Sequence, residues 1–393
     1  MCGILGIWSR NRDLKELDLE IKKMSSLLKH RGPDNEGFWI EEQSSFILSH
    51  QRLSIIDLSF DGNQPMESSS GRYIISFNGE IYNYQNLKFE LEKNFSIRWK
   101  SRSDTEVLLE LIDKYGIKNA LNKCIGMFAF AVWDRRERKL ILARDRMGEK
   151  PLYFGFSGKG QNRSFIFASE LSAIKSWKYF DNDINLEALS ELFKFQVIFA
   201  PNSIYQGIFQ LLPGHIITIN NLESKQLENI ECWWDQISKV QESLKNSISN
   251  ELDAENNLEK LLKDTLSKQS IADVPLGTFL SGGVDSSLIT ALLQSQNSKR
   301  IKTFTIGFED KNFDEANYAG EIAKHLNTDH EEFYFTESDA QNLIPNLSEL
   351  YSEPFADSSQ LPTHLVSKIA KTKGLKVALT GDGGDELFGG YNR

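Results

Sequence analysis

A cysteine stands at position 2, directly after Met1. Methionine aminopeptidase generally removes an initiator Met that precedes so small a residue, so the mature chain is expected to carry a thiol and a free α-amine on Cys2. Such an amine titrates at roughly 7.7–8.0 and can take the proton of an adjacent nucleophile without recruiting a histidine. Residues 4–8, Ile-Leu-Gly-Ile-Trp, read as a buried strand. A terminus tied into a core can hold a reactive group in place.

A second group of residues suits phosphate. Ser281, Gly282, Gly283, Val284, Asp285, Ser286 and Ser287 follow an apolar run ending at Leu280 and precede a helical run. A glycine-rich turn into a helix N-terminus offers backbone N–H groups and a positive dipole end. The serine hydroxyls add donors, and Asp285 could hold Mg2+ against phosphate oxygens. The Gly-Lys-Ser/Thr of a Walker A loop is missing, which disfavours a P-loop phosphotransferase. Thr380, Gly381, Asp382, Gly383, Gly384, Asp385 and Glu386 form a comparable turn after the apolar 376–380. Ligands of open α/β sheets lie at the carboxyl ends of strands, so the two turns can face one nucleotide, with Asp285 and Asp385 as candidates for a shared Mg2+.

The elements that must position these residues fall into two patterns. Up to about residue 219, short apolar or alternating segments (46–56, 73–82, 127–134, 140–144, 152–156 and 165–168) are separated by Gly, Asn or Asp. Leu17, Ile21, Met24 and Leu28 recur at helical spacing, as do Val107, Leu108, Leu111 and Ile112 after a Ser103-Asp104 start signal. This predicts a layered α+β domain, sheet on sheet with helices outside. Residues 220–257 turn polar apart from Trp233-Trp234 and read as a connection. From 258 onward strand and helix alternate (276–280, 286–294, 303–308, 316–326), which implies an α/β doubly wound parallel sheet.

The totals exclude several classes. The 393 residues suffice for two domains, and 40% apolar with 25% charged residues is ordinary for a soluble protein. Forty-five basic against 55 acidic residues give a net charge of −10 with no dense basic block, which argues against nucleic acid or an anionic membrane as the main partner. No apolar run approaches a membrane span of roughly 20 residues, and Arg10, Arg12 and Asp13 follow Trp8 too soon for a signal peptide. The three cysteines, Cys2, Cys124 and Cys232, are too scattered for a disulfide framework and fit a reducing cytosol. The expectation is a cytoplasmic, two-domain protein.

With Cys2 at one end and SGGVDSS in the second half, the chain closely resembles the glutamine-dependent asparagine synthetases. The matching segments are MCGILGIW, HRGPD (30–34), SHQRLSIID (49–57), FNGEIYN (77–83), SDTE (103–106), GMFAFAVWD (126–134), ARDRMGEKPLYF (143–154), FLSGGVDSS, FTIGF and GDGGDELFGGY, which ends at Tyr391. The resemblance implies an N-terminal-nucleophile glutaminase, a four-layer αββα sandwich over residues 2–219, joined to an ATP-pyrophosphatase domain over 258–393. Cys2 would attack the glutamine side-chain amide, with its own α-amine as base. Asn78 and Gly79 match the oxyanion hole. Arg52 matches the partner of the glutamine α-carboxylate, a task suited to a bidentate guanidinium. Glu80 and Asp104 match the acceptors of the α-ammonium, and the backbone of Leu53, Ser54, Ile55 and Ile56 would complete the pocket. In the second domain the family forms an aspartyl-adenylate from aspartate and ATP, then displaces AMP with ammonia brought through a tunnel, to whose wall residues 127–130 could contribute. Leu280, Ile306, Thr380 and Gly381 match positions flanking the adenosine, residues 281–287 would hold pyrophosphate, and Asp382 would position the intermediate.

Three departures stand out. The chain stops at Arg393, where family members continue for well over a hundred residues, so it is expected to be a partial synthetase domain. Asp382 replaces the Glu common in relatives. Residues 353–359, Glu-Pro-Phe-Ala-Asp-Ser-Ser, resemble relatives encoded among surface-polysaccharide genes. Alternatives to asparagine synthesis are therefore the same chemistry on another carboxylate such as a uronic acid, or a fragment with glutaminase activity only. A homodimer is compatible with the family.

Overall fold

A computed structural model describes residues 1–10, 13–223, 229–308 and 314–390. Arg12, the 224–228 part of the expected connection, Tyr391 and Arg393 lie outside the described residues. The chain divides into two compact units, the first made of Met1–Lys245 with Tyr351–Ala356, the second of Asn246–Leu350 with Asp357–Arg393.

The first unit holds twelve strands among its described residues: β1 (Gly3–Ser9), β2 (Asn35–Glu41), β3 (Phe46–Arg52), β4 (Met66–Glu67), β5 (Tyr73–Ile81), β6 (Gly126–Asp134), β7 (Lys139–Arg144), β8 (Tyr153–Ser157), β9 (Ser164–Ala168), β10 (Ile208–Gln210), β11 (His215–Ile219) and β12 (Ile230–Cys232). They form two antiparallel sheets, ordered β10-β8-β9-β1-β3-β2 and β12-β11-β7-β6-β5-β4. The alternation of side chains along each strand explains the layers. Ile4, Trp8, Phe46 and Leu48 of the first sheet pack against Ala129, Trp133, Leu140 and Ile217 of the second. Their neighbours Leu5, Ile7, Ile47 and Ile166 face the opposite way, onto the helix Leu14–Ser26 through Leu17, Ile21 and Met24. On the far side of the second sheet, Ile75, Phe77, Phe130 and Val132 pack on Leu108, Leu111 and Ile112 of the helix Asp104–Tyr115. The unit is thus helix, sheet, sheet, helix.

β1 begins one residue after Cys2 and is buried along its whole length. It lies between β3 and β9, so the N-terminus is pinned on both sides. The strand expected over 46–56 ends at Arg52. The Ser54 N–H turns away to the Asp34 carboxylate at 2.9 Å, and Asp57 takes a left-handed φ of +59°, so residues 53–57 leave the sheet as a turn. The segment read as a connection is partly structured. Ile230–Cys232 pairs with β11, and the Trp233 indole donates to the Arg144 carbonyl at 3.2 Å while stacking on Phe128.

The second unit carries β13 (Leu276–Phe279), β14 (Lys302–Phe308), β15 (Asp329–Phe335) and β16 (Val377–Leu379), all parallel, in the order β15-β14-β13-β16. Phe304 at its centre packs on Val366, Ala370 and Leu375 on one side, and Leu280 meets Ala319 and Ala323 on the other. Helices on both faces of a parallel sheet are the doubly wound arrangement. Among the described residues no helix is long and apolar enough to cross a membrane.

Candidate active site

The Cys2 thiol lies over the turn that follows β3. The Leu53 N–H points at Sγ from 3.4 Å, and Sγ is 3.7 Å from the Leu53 carbonyl. Arg31 donates from Nε to the Cys2 carbonyl at 2.9 Å and is itself held by Glu170 at 2.7 Å. Burial pushes the Cys2 thiol above its ordinary pKa. The N-terminal ammonium, the Leu53 N–H, Arg31 and Arg52 pull the other way. A buried thiol of this kind needs a base before it becomes a nucleophile.

Arg52 is buried and fixed by the loop it faces. It donates to the Ser59 carbonyl at 2.7 Å, to Asn63 Oδ1 at 2.8 Å and to the Asp57 carbonyl. Asp57 in turn accepts from the Ser59 and Arg102 N–H groups at 2.9 and 2.7 Å. Ser54, Ile55 and Ile56 lie in the turn between Arg52 and Asp57.

β5 supplies the next group, from an edge that runs out of neighbours. β4 pairs only as far as Ile75. Beyond it the Phe77 N–H goes to the Gln64 side chain at 2.7 Å, and the Ile81 N–H goes to Asp104 Oδ2 at 2.8 Å. In an antiparallel ladder, alternate residues turn both backbone groups to the same edge. Gly79, midway between Phe77 and Ile81, therefore directs its N–H to this open edge. The adjacent Asn78 side chain is 1% exposed, and its Nδ2 has no hydrogen-bond partner. An unsatisfied buried amide costs about 1–3 kcal/mol. Gly79 must be glycine: a Cβ there would stand 2.2 Å from the Met127 carbonyl oxygen.

Glu80 and Asp104 are both nearly inaccessible. Burial and the neighbouring Asp104 charge push the Glu80 carboxyl up to about 8, against the pull of Lys150. Burial pushes Asp104 to about 6, opposed by the Ile81 N–H and, more weakly, by Arg52. Two carboxyls strained in this way are relieved by a cation. Each of these groups is within electrostatic reach of the next. Cys2 interacts with Arg31 and Arg52, Arg52 with Asp104, Asp104 with Glu80, Glu80 with Lys150, and Lys150 with Arg31. Phe128, Ala129 and Phe130, in the segment considered as a tunnel wall, are buried core residues of this unit.

In the second unit, Leu280, Ile306 and Thr380 lie at the carboxyl ends of three adjacent strands, β13, β14 and β16. Gly282 takes φ +82°, and Gly283 starts the helix Val284–Ser295 without a side-chain cap, leaving its first N–H groups for a ligand. The serines brace the loop: Ser281 and Ser286 hydroxyls are 3.0 Å apart, and Ser287 donates to the Gly283 carbonyl at 2.6 Å. Val284 is exposed. The second turn abuts the first. A Cβ on Gly381 would come 2.8 Å from the Ser286 nitrogen, and one on Gly384 would come 2.4 Å from the Asp285 carboxyl carbon. Asp382 bonds within its own turn, accepting from Thr380 Oγ1 at 2.8 Å. Asp385 follows Gly384 and folds its carboxylate over Gly390.

Several residues of the pocket carry no individual signal in the sequence. Arg31, His50 and Lys150 sit inside recognisable segments, where nothing in the local pattern sets them apart from their neighbours. Glu170 and Gln64 have no motif at all, because their partners lie 139 and 13 residues away along the chain. Glu353, in the segment linked to acceptor choice, belongs to the first unit. Its carboxylate accepts from the Ile204 N–H at 2.7 Å, Gln210 at 2.8 Å and Tyr153 at 3.2 Å.

Two family models match the chain. The glutamine amidotransferase domain family matches residues 1–234, and the asparagine synthase family matches residues 257–393. A putative glutamine-hydrolysing asparagine synthetase of Methanocaldococcus jannaschii is 37% identical across the whole of this chain and 76% of its own length. Asparagine synthetase 1 of Bacillus subtilis is 35% identical, and asparagine synthetase B of Escherichia coli 29%, again over the whole chain. The chain spans 59% and 65% of the lengths of those two proteins. With these two families matched in this order and a relative 37% identical over 76% of its own length, the chain belongs to the glutamine-hydrolysing asparagine synthetase family.

Proposed function

We propose that the chain carries out the glutamine-hydrolysing and nucleotide-binding steps of an ATP-dependent amidation of aspartate. The observation that carries the first step is the Cys2 thiol held over the turn after β3 by the Leu53 N–H and Arg31, together with the orphan Asn78 amide and the edge-directed Gly79 N–H of β5. Glutamine fits these groups. Its α-ammonium answers the strained Glu80 and Asp104 carboxyls, and its α-carboxylate answers Arg52. With Met1 removed, the Cys2 α-amine takes the thiol proton as Sγ attacks the side-chain amide carbon. Asn78 Nδ2 and the Gly79 N–H receive the developing oxyanion. Such donors are commonly the largest catalytic contribution, about 2.7–4 kcal/mol for one of them in a well-studied protease. The C–N bond breaks with proton return from the amine, ammonia leaves, and water then releases glutamate from the thioester.

Residues 281–287 suit the phosphates of ATP, with Leu280, Ile306, Thr380 and Gly381 beside the nucleoside and Asp382 beside an acyl-adenylate. A free carboxylate is a poor acyl donor, and adenylation supplies AMP as a leaving group that ammonia displaces. Among the described residues no cluster of three metal-ligating side chains exists. Mg2+ asks for less: one or two carboxylates plus phosphate oxygens and waters. Asp285 against Gly384, with Asp385 next in sequence, fits that donor set. Bound there, Mg2+ would neutralise phosphate charge. Working in the cytoplasm fits this chemistry.

The test is product identification with amide-labelled glutamine, ATP and either aspartate or sugar acids. Labelled asparagine is expected. A labelled sugar amide in its place would redirect the acceptor assignment and leave the glutaminase intact.

A further inference from the structure

We propose that His50 and Gln64 are positioning residues for the oxyanion donors Asn78 and Gly79, doing at the open edge of β5 what a neighbouring strand does elsewhere. The inference rests on the glutaminase reading of the Cys2 pocket. Because β4 ends its pairing at Ile75, the backbone from Ser76 onward has no strand on that side. A strand edge without hydrogen bonds is free to twist or fray. Here both backbone groups of Phe77 are held by side chains. Gln64 Oε1 accepts its N–H at 2.7 Å, and His50 Nε2 lies 3.0 Å from its carbonyl. A carbonyl only accepts, so His50 Nε2 carries the proton and the neutral ring leaves Nδ1 bare. Nδ1 has no partner, and the ring is 1% exposed. A buried histidine with one unsatisfied nitrogen is a costly way to fill space.

The geometry explains what that cost secures. The Phe77 carbonyl and the Asn78 N–H belong to one peptide plane, so His50 fixes the plane from which the Asn78 side chain departs. Gln64 fixes the preceding plane and is itself anchored by donating to Thr105 Oγ1 at 3.2 Å. Two residues beyond Gly79, Asp104 takes the Ile81 N–H. The two donors are therefore suspended between clamps at Phe77 and Ile81. His50 is also two residues before Arg52 on β3, so one strand sets both the oxyanion donors and the Arg52 guanidinium.

The experiment is steady-state glutaminase kinetics of wild type, His50→Leu, His50→Gln, Asn78→Ala and the His50→Leu/Asn78→Ala double variant, with thermal melts to confirm folding. Misplacing catalytic groups by about 1 Å costs on the order of 100-fold. His50→Leu should accordingly lower kcat about 10- to 100-fold with KM little changed. His50→Gln, which can still donate to the Phe77 carbonyl, should recover most of it. On the Asn78→Ala background the His50→Leu loss should shrink to less than about 3-fold, because groups acting through one another are not additive. A wild-type kcat in folded His50→Leu, or a loss that multiplies in full onto Asn78→Ala, would overturn the proposal. Should His50→Leu fail to fold, Gln64→Leu in the same cycle decides by the same criterion. Absence of hydrolysis in wild type would instead overturn the glutaminase reading beneath it.

Discussion

The Leu53 amide of the turn after β3 points at the Cys2 sulfur from 3.4 Å, so a residue 51 positions away supplies the first donor to the thiol. The contact exists because β1 and β3 are paired neighbours, with Gly3 opposite Gln51. The nucleophile and the Arg52 side of the pocket therefore move as one piece. Cys2→Ala should abolish glutamine hydrolysis while leaving the fold unchanged. Synthesis should still be driven by free ammonia. Persistent glutamine-driven turnover would remove Cys2 from its role.

Asn78 offers a cleaner test of transition-state stabilisation. Its Nδ2 has no partner in the free protein, so truncation breaks no internal hydrogen bond. Asn78→Ala should lower kcat roughly 100- to 1,000-fold with little change in melting temperature. Equal losses of activity and stability would mark Asn78 as structural.

Glu80 and Asp104 predict a pH dependence with a definite sign. Their folded-state values, about 8 and about 6, lie above the ordinary carboxyl range. The folded protein binds protons that the unfolded chain has already lost, so ligand-free stability should fall as pH rises from about 4 to 8 and level off above that. Glutamine binding runs the other way: kcat/KM should climb across pH 6–8 as the carboxylates ionise. Glu80→Gln should raise the melting temperature at pH 8, by roughly 2–4 °C per kcal/mol recovered, and severely weaken glutamine use. A variant that loses stability at pH 8 would contradict the assignment.

In the second unit, Gly384→Ala should displace the Asp285 side chain. The new methyl group would meet the Asp285 carboxyl carbon at 2.4 Å and its Cβ at 3.0 Å, so that side chain must shift. ATP affinity, read by equilibrium titration, should drop by about 10-fold or more, while glutamine hydrolysis stays at the wild-type rate. Unchanged ATP binding would show that Asp285 and this turn do not form one nucleotide site.

Glu353 carries a prediction about stability. Glu353→Leu would leave the Ile204 N–H without its acceptor and remove one of the two acceptors of the Gln210 amide. A buried donor left unsatisfied costs about 1–3 kcal/mol, to be read as a lower urea midpoint for the first unit. Glu353→Gln keeps an acceptor oxygen and should cost less. If both variants unfold like wild type, the segment 351–356 is a loose passenger on that unit.

The alternation of apolar residues along the strands and the helical spacing of Leu17, Ile21 and Met24 were enough to read a layered α+β unit and a parallel-sheet unit. These are local regularities, and each follows from a period of 2 or 3.6 residues. Contiguous chemistry was legible for the same reason. Cys2 at the start of an apolar strand and Ser281 to Ser287 between strand and helix declare themselves within a few positions. Tertiary structure alone decided which residues answer them. Burial created the strained Glu80 and Asp104 carboxyls, since desolvation is a property of the packed state. The end of β4 at Ile75 opened the edge that turns Gly79 outward and calls for Gln64 and His50. Glu170 reaches Arg31, and Glu353 reaches Ile204, across well over a hundred residues of chain. Such partnerships arise from strand order and sheet edges, which no local pattern in the sequence encodes.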